Sequence, residues 1–323
     1  MVPSLKNALK TIARKFRKAL GDEAINYSDK LNDIAHLANE AKNGRAYELG
    51  DGVILTTIYT GQIIAVDQND LSLAPHLILK GEWEKELTQR CEVIVREIEN
   101  PVIFDVGANF GWYGLTLSRF SSGSTVHFFE ANPDITKLLT KTALVNGLPL
   151  RAKINNLAVS DLSGEVLCLE VPKLHKGSSS ICGFNLDLSD YYENKDDISK
   201  FEVSSISLDD YCNTHSIHAI DFMKIDVEGA EEKVASGAAG IIAKSANLAI
   251  MLEWNIGRYS DRMLEILKSF NSCGAINKNG DWIDLSRELQ CASSITSFEE
   301  TVSKRLNSQK KHYDLFFGKK SLS

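Results

Sequence analysis

The sequence predicts an α/β fold built on a doubly wound, mostly parallel β-sheet. Short apolar segments of strand length alternate with segments of helical periodicity over most of residues 93–323. The chain has 323 residues, of which 43% are hydrophobic and 24% are charged, and this composition is typical of a globular protein. We therefore expect one large α/β domain over residues 93–323, preceded by smaller N-terminal parts.

The N-terminal parts are expected to be a helical segment over residues 1–48 and a β-hairpin with a helix over residues 49–92. Residues 50–66 alternate in polarity and are rich in Ile, Val and Thr, which indicates a hairpin or a short meander. Residues 83–99 have helical periodicity and lead into the core.

Residues 5–20 predict an amphipathic helix whose polar face is strongly basic. Three interpretations stay open: the helix lies on an anionic membrane surface, packs on a partner enzyme or a second copy of the chain, or covers the sheet domain. The net charge of −7 argues against a nucleic-acid partner that binds the whole surface.

Cysteine spacing and hydropathy predict a cytoplasmic protein. The six cysteines are scattered, without a Cys-x-x-Cys pair or zinc-like spacing, so we expect reduced thiols. No apolar run approaches the roughly 20 residues that span a bilayer, and the basic N-terminus lacks the apolar stretch of a secretory signal. Contact with a membrane surface through residues 5–20 is compatible with this location.

The core elements follow one another in a strand–helix order. Asn132 is expected to cap a helix that starts at Pro133 and is closed by Gly147, and Ser207 opens another helix. The remaining helices are expected from about residue 112 and over residues 230–243. The strands are expected over residues 102–106, 125–130, 152–160, 164–171, 220–227, 247–254 and 312–317.

A glycine-rich turn, Asp105-Val106-Gly107-Ala108-Asn109-Phe110-Gly111, joins the first core strand to a helix. Glycines at such a turn let the backbone approach a ligand closely. Asp105 ends the strand two residues before the first glycine, where a carboxylate would repel a dinucleotide pyrophosphate. The turn therefore favours a cationic ligand such as S-adenosylmethionine over NAD.

Glu130 ends the next strand, and an acid in that position can accept hydrogen bonds from both hydroxyls of an adenosine ribose. NAD and S-adenosylmethionine share this feature, so only Asp105 separates the two cofactors.

A second cluster of charged residues lies in the segment from Asp221 to Glu231. Lys224 and Asp226 alternate with apolar residues near the end of a strand, where charges are costly unless they are paired or functional. Asp226 is the first candidate for a base that accepts a hydroxyl proton. Asp226, Glu228 and Glu253 together are candidate oxygen ligands for a divalent cation, Mg or Mn, and Lys224 and Glu253 are further candidate catalytic residues.

These motifs resemble the FkbM-type family of class I S-adenosylmethionine-dependent methyltransferases. The resemblance lies in Phe104 to Tyr113, in Phe129-Glu130-Ala131-Asn132-Pro133, in residues 157–161 and in Lys224-Ile225-Asp226-Val227-Glu228-Gly229-Ala230-Glu231. Gly81-Glu82-Trp83-Glu84 resembles an acidic segment of the family. This chain has Ala131 where a proline often follows the glutamate, which should not remove the ribose contact.

The resemblance implies a Rossmann-like sheet of seven strands whose last strand, here residues 312–317, is antiparallel. It also implies O-methylation, often of sugar hydroxyls in glycans or glycosylated products. Asp105, Gly107 and Asn109 would line the methionine part of the cofactor, Glu130 would hold the ribose, and Asn156, Ala158 or Ser160 would lie near the adenine. The full set of expected cofactor-binding residues is Asp105, Gly107, Ala108, Asn109, Gly111, Tyr113, Glu130, Ala131, Asn156, Ala158 and Ser160.

Residues 173–197 form a polar insertion that is a candidate acceptor-binding segment. It contains His175, which is an alternative base because histidine titrates near neutral pH. The insertion also holds Lys176, Ser178, Ser179, Ser180, Asn185, Tyr191 and Tyr192. A lipid or polyketide hydroxyl, an NAD-dependent oxidoreductase and a non-catalytic scaffold stay open as alternatives, as does a homo-oligomer.

Overall fold

The computed structural model of the protein describes residues 45–148, 150–181, 198–307 and 312–322. The predicted helix over residues 5–20 lies outside the described residues, as do Asn185, Tyr191 and Tyr192. No helix in the described part of the chain is long and apolar enough to cross a membrane. The chain divides into two compact units, Met1–Trp83 and Glu84–Ser323.

The first unit contains an antiparallel meander, as the alternating pattern of residues 50–66 predicts. Its strands are β1 (Ala46–Gly50), β2 (Val53–Thr57) and β3 (Ile63–Asp67), and helix α1 (Ala74–Lys80) follows. Asp51 and Gly52 join β1 to β2 with φ angles of 51° and 77°. Two consecutive positive φ angles match the right-handed twist of a two-residue hairpin, which explains the tight turn.

The second unit begins with a helix that packs on the core rather than leading into it. The helices of this unit are α2 (Lys85–Arg96), α3 (Trp112–Leu117), α4 (Pro133–Val145), α5 (Leu208–Thr214), α6 (Glu231–Gly237), α7 (Ala239–Lys244), α8 (Asp261–Leu267), α9 (Ser286–Cys291) and α10 (Ile295–Leu306), with 3₁₀ turns at Ser118–Phe120 and Lys176–Ser178. The indole of Trp112 donates to Thr88 at 2.9 Å, and Arg119 pairs with Glu92 at 2.7 Å. These contacts agree with the place of α2 in the second unit, which begins at Glu84. The expected domain boundary at residue 92 stays a prediction.

The strands of the second unit form two sheets. In chain order they are β4 (Val102–Val106), β5 (Thr125–Phe129), β6 (Ala152–Asn155), β7 (Ala158–Val159), β8 (Val166–Pro172), β9 (Ser180–Ile181), β10 (Ile198–Ile206), β11 (Phe222–Ile225), β12 (Ala249–Asn255), β13 (Ser272–Ile276), β14 (Trp282–Asp284) and β15 (His312–Gly318). The large sheet has the order β14-β13-β15-β12-β11-β4-β5-β6, and the small sheet has the order β7-β10-β8-β9.

The large sheet confirms the Rossmann-like, doubly wound prediction. β6, β5, β4, β11 and β12 run parallel, and β15 lies antiparallel to β12 and β13, as expected for the last strand. Among the described residues this sheet has eight strands, one more than the seven expected. Neither β13 nor β14 was among the expected strands, and the two form an antiparallel hairpin at one end of the sheet. The expected strand over residues 164–171 is β8, which lies in the small sheet.

The small sheet differs from the expected strand pattern. Residues 152–160 do not form one strand, because the chain turns at Asn156 and Leu157, and Ala158 and Val159 pair with β10 instead. The side-chain amide of Asn156 donates to the carbonyl oxygens of Glu130 and Ala131, both at 2.9 Å, and these bonds fix the turn.

The helix termini follow the sequence signals. The Asn132 side chain accepts the backbone N–H of Asp134 at 3.0 Å at the start of α4, and Ser207 accepts that of Asp210 at 3.2 Å in α5. The predicted helix over residues 230–243 is two helices, because the Asp209 carboxylate accepts the backbone N–H groups of Gly240 and Ile241 and so starts α7 separately.

The core of the large sheet is fully buried on both faces. Phe104 and Ile250 on one face, and Phe222 and Phe316 on the other, are each at most 2% exposed. Burying an aromatic or aliphatic side chain of this size stabilises a fold by about 1.5–3 kcal/mol. This rigid sheet brings the carboxyl ends of its parallel strands to one edge, where ligands bind in open α/β sheets.

Candidate functional site

The glycine loop between β4 and α3 is hydrogen-bonded to the end of β5 and packs closely on the end of β11. The backbone N–H groups of Gly107 and Ala108 both reach the carbonyl oxygen of Phe129, at 3.0 Å each. Gly107 has a φ of 72°, and a Cβ there would lie 1.7 Å from the carbonyl oxygen of Asp226. Only glycine fits at this close approach of two strand ends, which is the reason for the loop's composition.

Asp105 is buried below the glycine loop, and only one of its two carboxylate oxygens accepts a hydrogen bond in the described part of the chain. Its Oδ2 accepts the backbone N–H of Gly114 at 2.8 Å, while its buried Oδ1 has no hydrogen-bond partner among the described residues. Burial raises the pKa of Asp105 to about 6, against the opposing effects of Lys224 and the Gly114 N–H. An unsatisfied buried carboxylate oxygen is suited to a hydrogen-bond donor or a cation.

Glu130 orders the turn between β5 and α4. Its Oε1 accepts the backbone N–H of Asn132 and its Oε2 accepts that of Asn109, both at 2.8 Å. Burial raises the pKa of Glu130, although these two bonds oppose the change. Asn109 has a φ of 51°, and its buried Oδ1 has no hydrogen-bond partner within the described ranges. Glu130, the residue predicted to bind the ribose, therefore also holds the backbone of Asn109.

Lys224 joins the glycine loop to the end of β11. Its Nζ donates to the carbonyl oxygen of Gly107 at 2.7 Å and lies 3.2 Å from Asp226 Oδ2. Burial favours the neutral amine, but the carboxylates of Asp226 and Asp105 outweigh this effect and raise the pKa of Lys224. Lys224 was expected among the catalytic residues. That role stays a prediction, and the two contacts show Lys224 as a buried cation that bridges Gly107 and Asp226.

Asp226, Glu228 and Glu253 lie at the ends of β11 and β12. The pKa of Glu228 is raised to about 8 by burial and by the charges of Asp226 and Glu231, and the same kind of environment raises that of Glu253. The side chain of Asp226 is 39% exposed, whereas that of its partner Lys224 is 7% exposed.

The structure does not support the expected metal site of Asp226, Glu228 and Glu253. In the part of the chain that the structure describes, no group of three or more His, Cys, Asp or Glu residues is arranged to hold a metal ion. Two of the three expected ligands are engaged in contacts with other side chains, which explains why no metal site forms in this part of the chain. Asp226 pairs with Lys224, and Glu253 Oε2 accepts the side-chain N–H of Asn255 at 3.1 Å.

The residues predicted on the adenine side have structural contacts of their own. Asn156 holds the carbonyl groups of Glu130 and Ala131. Ala158 packs in the small apolar cluster of Leu169, Val171 and Val203. The buried Ser160 hydroxyl donates to Asp161 at 3.0 Å, and the Ser160 carbonyl lies against Gly237 of α6. Contacts of Asn156, Ala158 or Ser160 with an adenine stay predictions, as does a cofactor contact of Ala131.

Two site contacts were not foreseen. The Tyr113 hydroxyl donates to Glu84 Oε2 at 2.6 Å, and the Tyr113 ring centre lies 5.9 Å from Lys224 Nζ. The acidic segment that ends at Glu84 was the sequence signal for this contact. In addition, the buried Ser180 hydroxyl in β9 donates to the carbonyl oxygen of Glu228 at 2.9 Å. The insertion therefore touches the loop after β11.

The remaining predicted residues are placed as follows. Gly111, with a φ of 87°, starts α3, and a Cβ there would lie 2.4 Å from Leu139 Cδ1. His175 precedes the 3₁₀ turn Lys176–Ser178 between β8 and β9, and its role as a base stays a prediction. The part of the insertion over residues 182–197 lies outside the described ranges.

The charge of the site suits an organic cation that carries a ribose. Asp105, Asp226, Glu84 and Glu130 surround a single close cation, Lys224, within the described part of the site. The unpartnered Asp105 oxygen is available to a positive group, and Glu130 follows β5, the strand that pairs with β4.

Comparisons with solved structures find methyltransferases of low identity. The TYW2 protein of P. horikoshii in complex with MeSAdo is 10% identical, with 93% of this chain and 84% of that chain covered and a TM-score of 0.43. The O-methyltransferase from Bacillus cereus in complex with SAH is 12% identical, with 73% and 81% covered and a TM-score of 0.36. At these TM-scores the likeness carries no argument about what this chain does.

The comparison with family models is decisive. No curated protein matches the chain. Residues 105–276, more than half of the 323 residues, match the methyltransferase FkbM domain. The matched range starts at Asp105 and contains the glycine loop, Glu130 and the Lys224–Glu231 segment. The chain therefore belongs to the FkbM family of S-adenosylmethionine-dependent methyltransferases.

Proposed function

We propose that this methyltransferase methylates a hydroxyl group, in a sugar of a glycan or glycoconjugate, and that Asp226 accepts the hydroxyl proton. The observation that carries the proposal is the position of Asp226. Its carboxylate is partly exposed at the end of β11, while its partner Lys224 is buried and bonded to the glycine loop. The pair thus fixes an acid next to the expected cofactor position.

The residues that would hold the cofactor are Asp105, Asn109 and Glu130. When bound, S-adenosylmethionine supplies an electrophilic methyl group on a positively charged sulfur. The unpartnered oxygens of Asp105 and Asn109 are available to its polar groups. Each oxygen of Glu130 accepts one backbone N–H, which leaves capacity for a ribose hydroxyl because a carboxylate oxygen accepts two hydrogen bonds.

Asp226 is suited to accept the proton because one of its oxygens is already oriented. Oδ2 faces Lys224, so we assign Oδ1 to the acceptor hydroxyl. With an acceptor bound, Asp226 would take up the proton that the hydroxyl loses when it is methylated. Oriented general bases of this kind contribute about 10²–10⁴-fold to a rate.

The Asp226→Asn variant tests this assignment. We expect turnover to fall by about 10²–10⁴-fold while the affinity for S-adenosylmethionine, measured by calorimetry, changes little, because Asn keeps the shape but accepts no proton. Asp281→Asn is the matched control, since Asp281 is exposed in the turn between β13 and β14. Near-normal turnover of Asp226→Asn would remove Asp226 as the base.

The sugar acceptor is supported by the insertion. Its described part, residues 173–181, presents polar side chains and is bonded to the Glu228 carbonyl through Ser180. A screen of S-adenosylmethionine consumption across nucleotide sugars, oligosaccharides and lipid-linked glycans tests the acceptor class. Consumption only with lipid or polyketide alcohols would favour the alternative acceptors. The NAD-dependent alternative is not retained, because the chain belongs to a methyltransferase family.

The basic segment over residues 5–20 is proposed to contact an anionic membrane surface or a partner enzyme. Co-sedimentation with anionic vesicles, for the full chain and for a chain without residues 1–22, tests the membrane contact. Equal sedimentation of the two chains would remove it.

A further inference from the structure

The loop between β11 and α6 has a backbone conformation that needs support from its neighbours. Glu228 has a φ of 56° and Gly229 a φ of 109°. The left-handed region is disfavoured for a residue with a Cβ, and such residues persist where the surroundings hold them. The loop starts with Asp226, so whatever holds Glu228 and Gly229 also affects the placement of the proposed base.

Glu231 supplies that support from the first turn of α6. Its side chain is fully buried, and its Oε1 accepts the backbone N–H of Gly229 at 2.9 Å and that of Val227 at 3.2 Å. Two N–H groups that converge in this way form a concave anion-binding site. Here the chain's own carboxylate occupies it, and the loop is closed around Glu231.

Tyr259 links the other oxygen of Glu231 to the next strand. Its hydroxyl lies 3.3 Å from Glu231 Oε2 and 3.2 Å from the carbonyl oxygen of Glu253, and it accepts the backbone N–H of Asn255 at 2.9 Å. The Tyr259 ring packs on buried Trp254, with ring centres 4.3 Å apart. The loops that follow β11 and β12 are therefore joined through two buried side chains.

We propose that Glu231, together with Tyr259, is a positioning residue that holds the Asp226–Gly229 loop in the conformation required for methyl transfer. The inference rests on the proposed function only for the role of Asp226; the support of the loop is independent of it. Reacting groups displaced by about 1 Å lose about 10²-fold in rate, so a loop that relaxes would cost turnover without loss of the cofactor site.

The variant Glu231→Gln tests most directly whether Glu231 holds the loop. The amide has nearly the shape of the carboxylate and its oxygen can replace Oε1, but a neutral oxygen is a weaker acceptor for the two loop N–H groups than an ionised carboxylate is. We expect kcat to fall by about 10²-fold while the KM for S-adenosylmethionine stays within about threefold. The backbone amides of Val227 and Gly229 should exchange with solvent at least about tenfold faster, because their acceptor is weakened.

Glu232→Gln is the matched control in the same helical turn. Glu232 accepts the backbone N–H of Ser260 at 2.9 Å and bonds to the Ser260 hydroxyl, and it makes neither loop contact. It should leave kcat and the exchange of Val227 and Gly229 unchanged. Tyr259→Phe removes only the hydroxyl and should produce a smaller change in the same direction as Glu231→Gln.

Amide exchange is measured on the full chain with S-adenosylhomocysteine present, and kcat with whichever acceptor the wild type consumes. Unchanged exchange at Val227 and Gly229 in Glu231→Gln overturns the proposal. A uniform rise in exchange over β4 and β11, with weaker cofactor binding, also overturns it, because that is general destabilisation. If the wild type consumes no acceptor, the proposed function fails, while the exchange measurement still decides whether Glu231 holds the loop.

Discussion

The ammonium group of Lys224 lies 2.7 Å from the carbonyl oxygen of Gly107 and so binds strand β11 to the glycine loop after β4. Lys224 is buried and its second contact is Asp226. A single cation therefore fixes the distance between the loop expected to hold the cofactor and the acid expected to accept a proton.

Lys224→Met should weaken both cofactor binding and stability. Met keeps the apolar stem but leaves Asp105 and Asp226 without their cation, and removing one partner of a buried charge pair costs about 3–5 kcal/mol. We expect the affinity for S-adenosylhomocysteine to fall at least about tenfold, measured by calorimetry, together with a lower unfolding midpoint. Lys137→Met is the control, since Lys137 forms an exposed pair with Asp134. Unchanged affinity in Lys224→Met would contradict the role given to this cation.

Gly107→Ala should abolish cofactor binding. The new Cβ would lie 1.7 Å from the Asp226 carbonyl oxygen, so the loop must move away from β11. Gly147→Ala is the matched control, because Gly147 also has a positive φ, 66°, but has nothing within 4 Å of the added Cβ. The control should lose only about 1–2 kcal/mol of stability and keep its affinity. Equal behaviour of the two variants in a titration would show that the close approach is unimportant.

The sequence predicts the strand-end acids well, because each follows an apolar strand of clear length. Asp105 and Glu130 end β4 and β5, and the parallel pairing of these strands brings them to one edge. The positive φ of Gly107 and Gly111 likewise follows from the need for a tight strand-to-helix turn. Local pattern and sheet topology suffice for this part of the site.

The contacts that join distant loops could not be predicted from local pattern. Ser180 and Glu228 are 48 residues apart, Tyr113 and Glu84 are 29 apart, and no periodicity encodes either bond. The split of residues 152–160 depends on the Asn156 side chain, which bonds to carbonyl groups of another loop. These features arise only when the insertion and α2 pack on the core.

The sequence contains a turn signal before strand β14. Asn279-Gly280 precedes Trp282, and Gly280 has a φ of 84°, which is typical of a hairpin turn. The strand is only three residues long, so alternation alone cannot reveal it. Trp282 contacts Gly274 across the hairpin, where a larger residue would collide with the indole.

Cofactor affinity should fall as the pH drops through about 6. The pKa of Asp105 is raised to about 6, mainly by burial, so the carboxylate that would attract a cationic cofactor becomes neutral below that pH. Calorimetry with S-adenosylmethionine from about pH 8 to about pH 5 should show this loss, and Asp105→Asn should bind weakly at every pH. A flat wild-type profile would contradict the assignment.

The same carboxyl group has an opposite effect on stability. Its folded pKa lies above its unfolded value of 3.8, so the folded state binds more protons between these two values. The contribution of Asp105 to stability is therefore present in acid and is lost as the pH rises through about 6. Asp105→Asn should remove this loss, so stability and affinity should change in opposite directions in one variant.

His127 should make the fold weaker in mild acid. It is buried, its Nδ1 lies 2.9 Å from the Tyr211 hydroxyl, and burial, with smaller effects of His215 and Lys153, lowers its pKa to about 4. The unfolded chain, with a histidine pKa of 6.5, binds the extra proton first, so stability is fully present above about pH 6.5 and is lost as the pH falls toward 4.

The size of the effect follows from the difference between the two pKa values. Between about pH 7 and about pH 5, this histidine should remove about 2 kcal/mol from the free energy of unfolding. His127→Gln keeps a side chain that can bond to Tyr211 but does not titrate, so urea unfolding of the two proteins should diverge by that amount across the pH range. Parallel pH profiles would show that His127 does not control acid stability. Asp105 titrates in part of the same range in both proteins, and comparing the two removes its contribution.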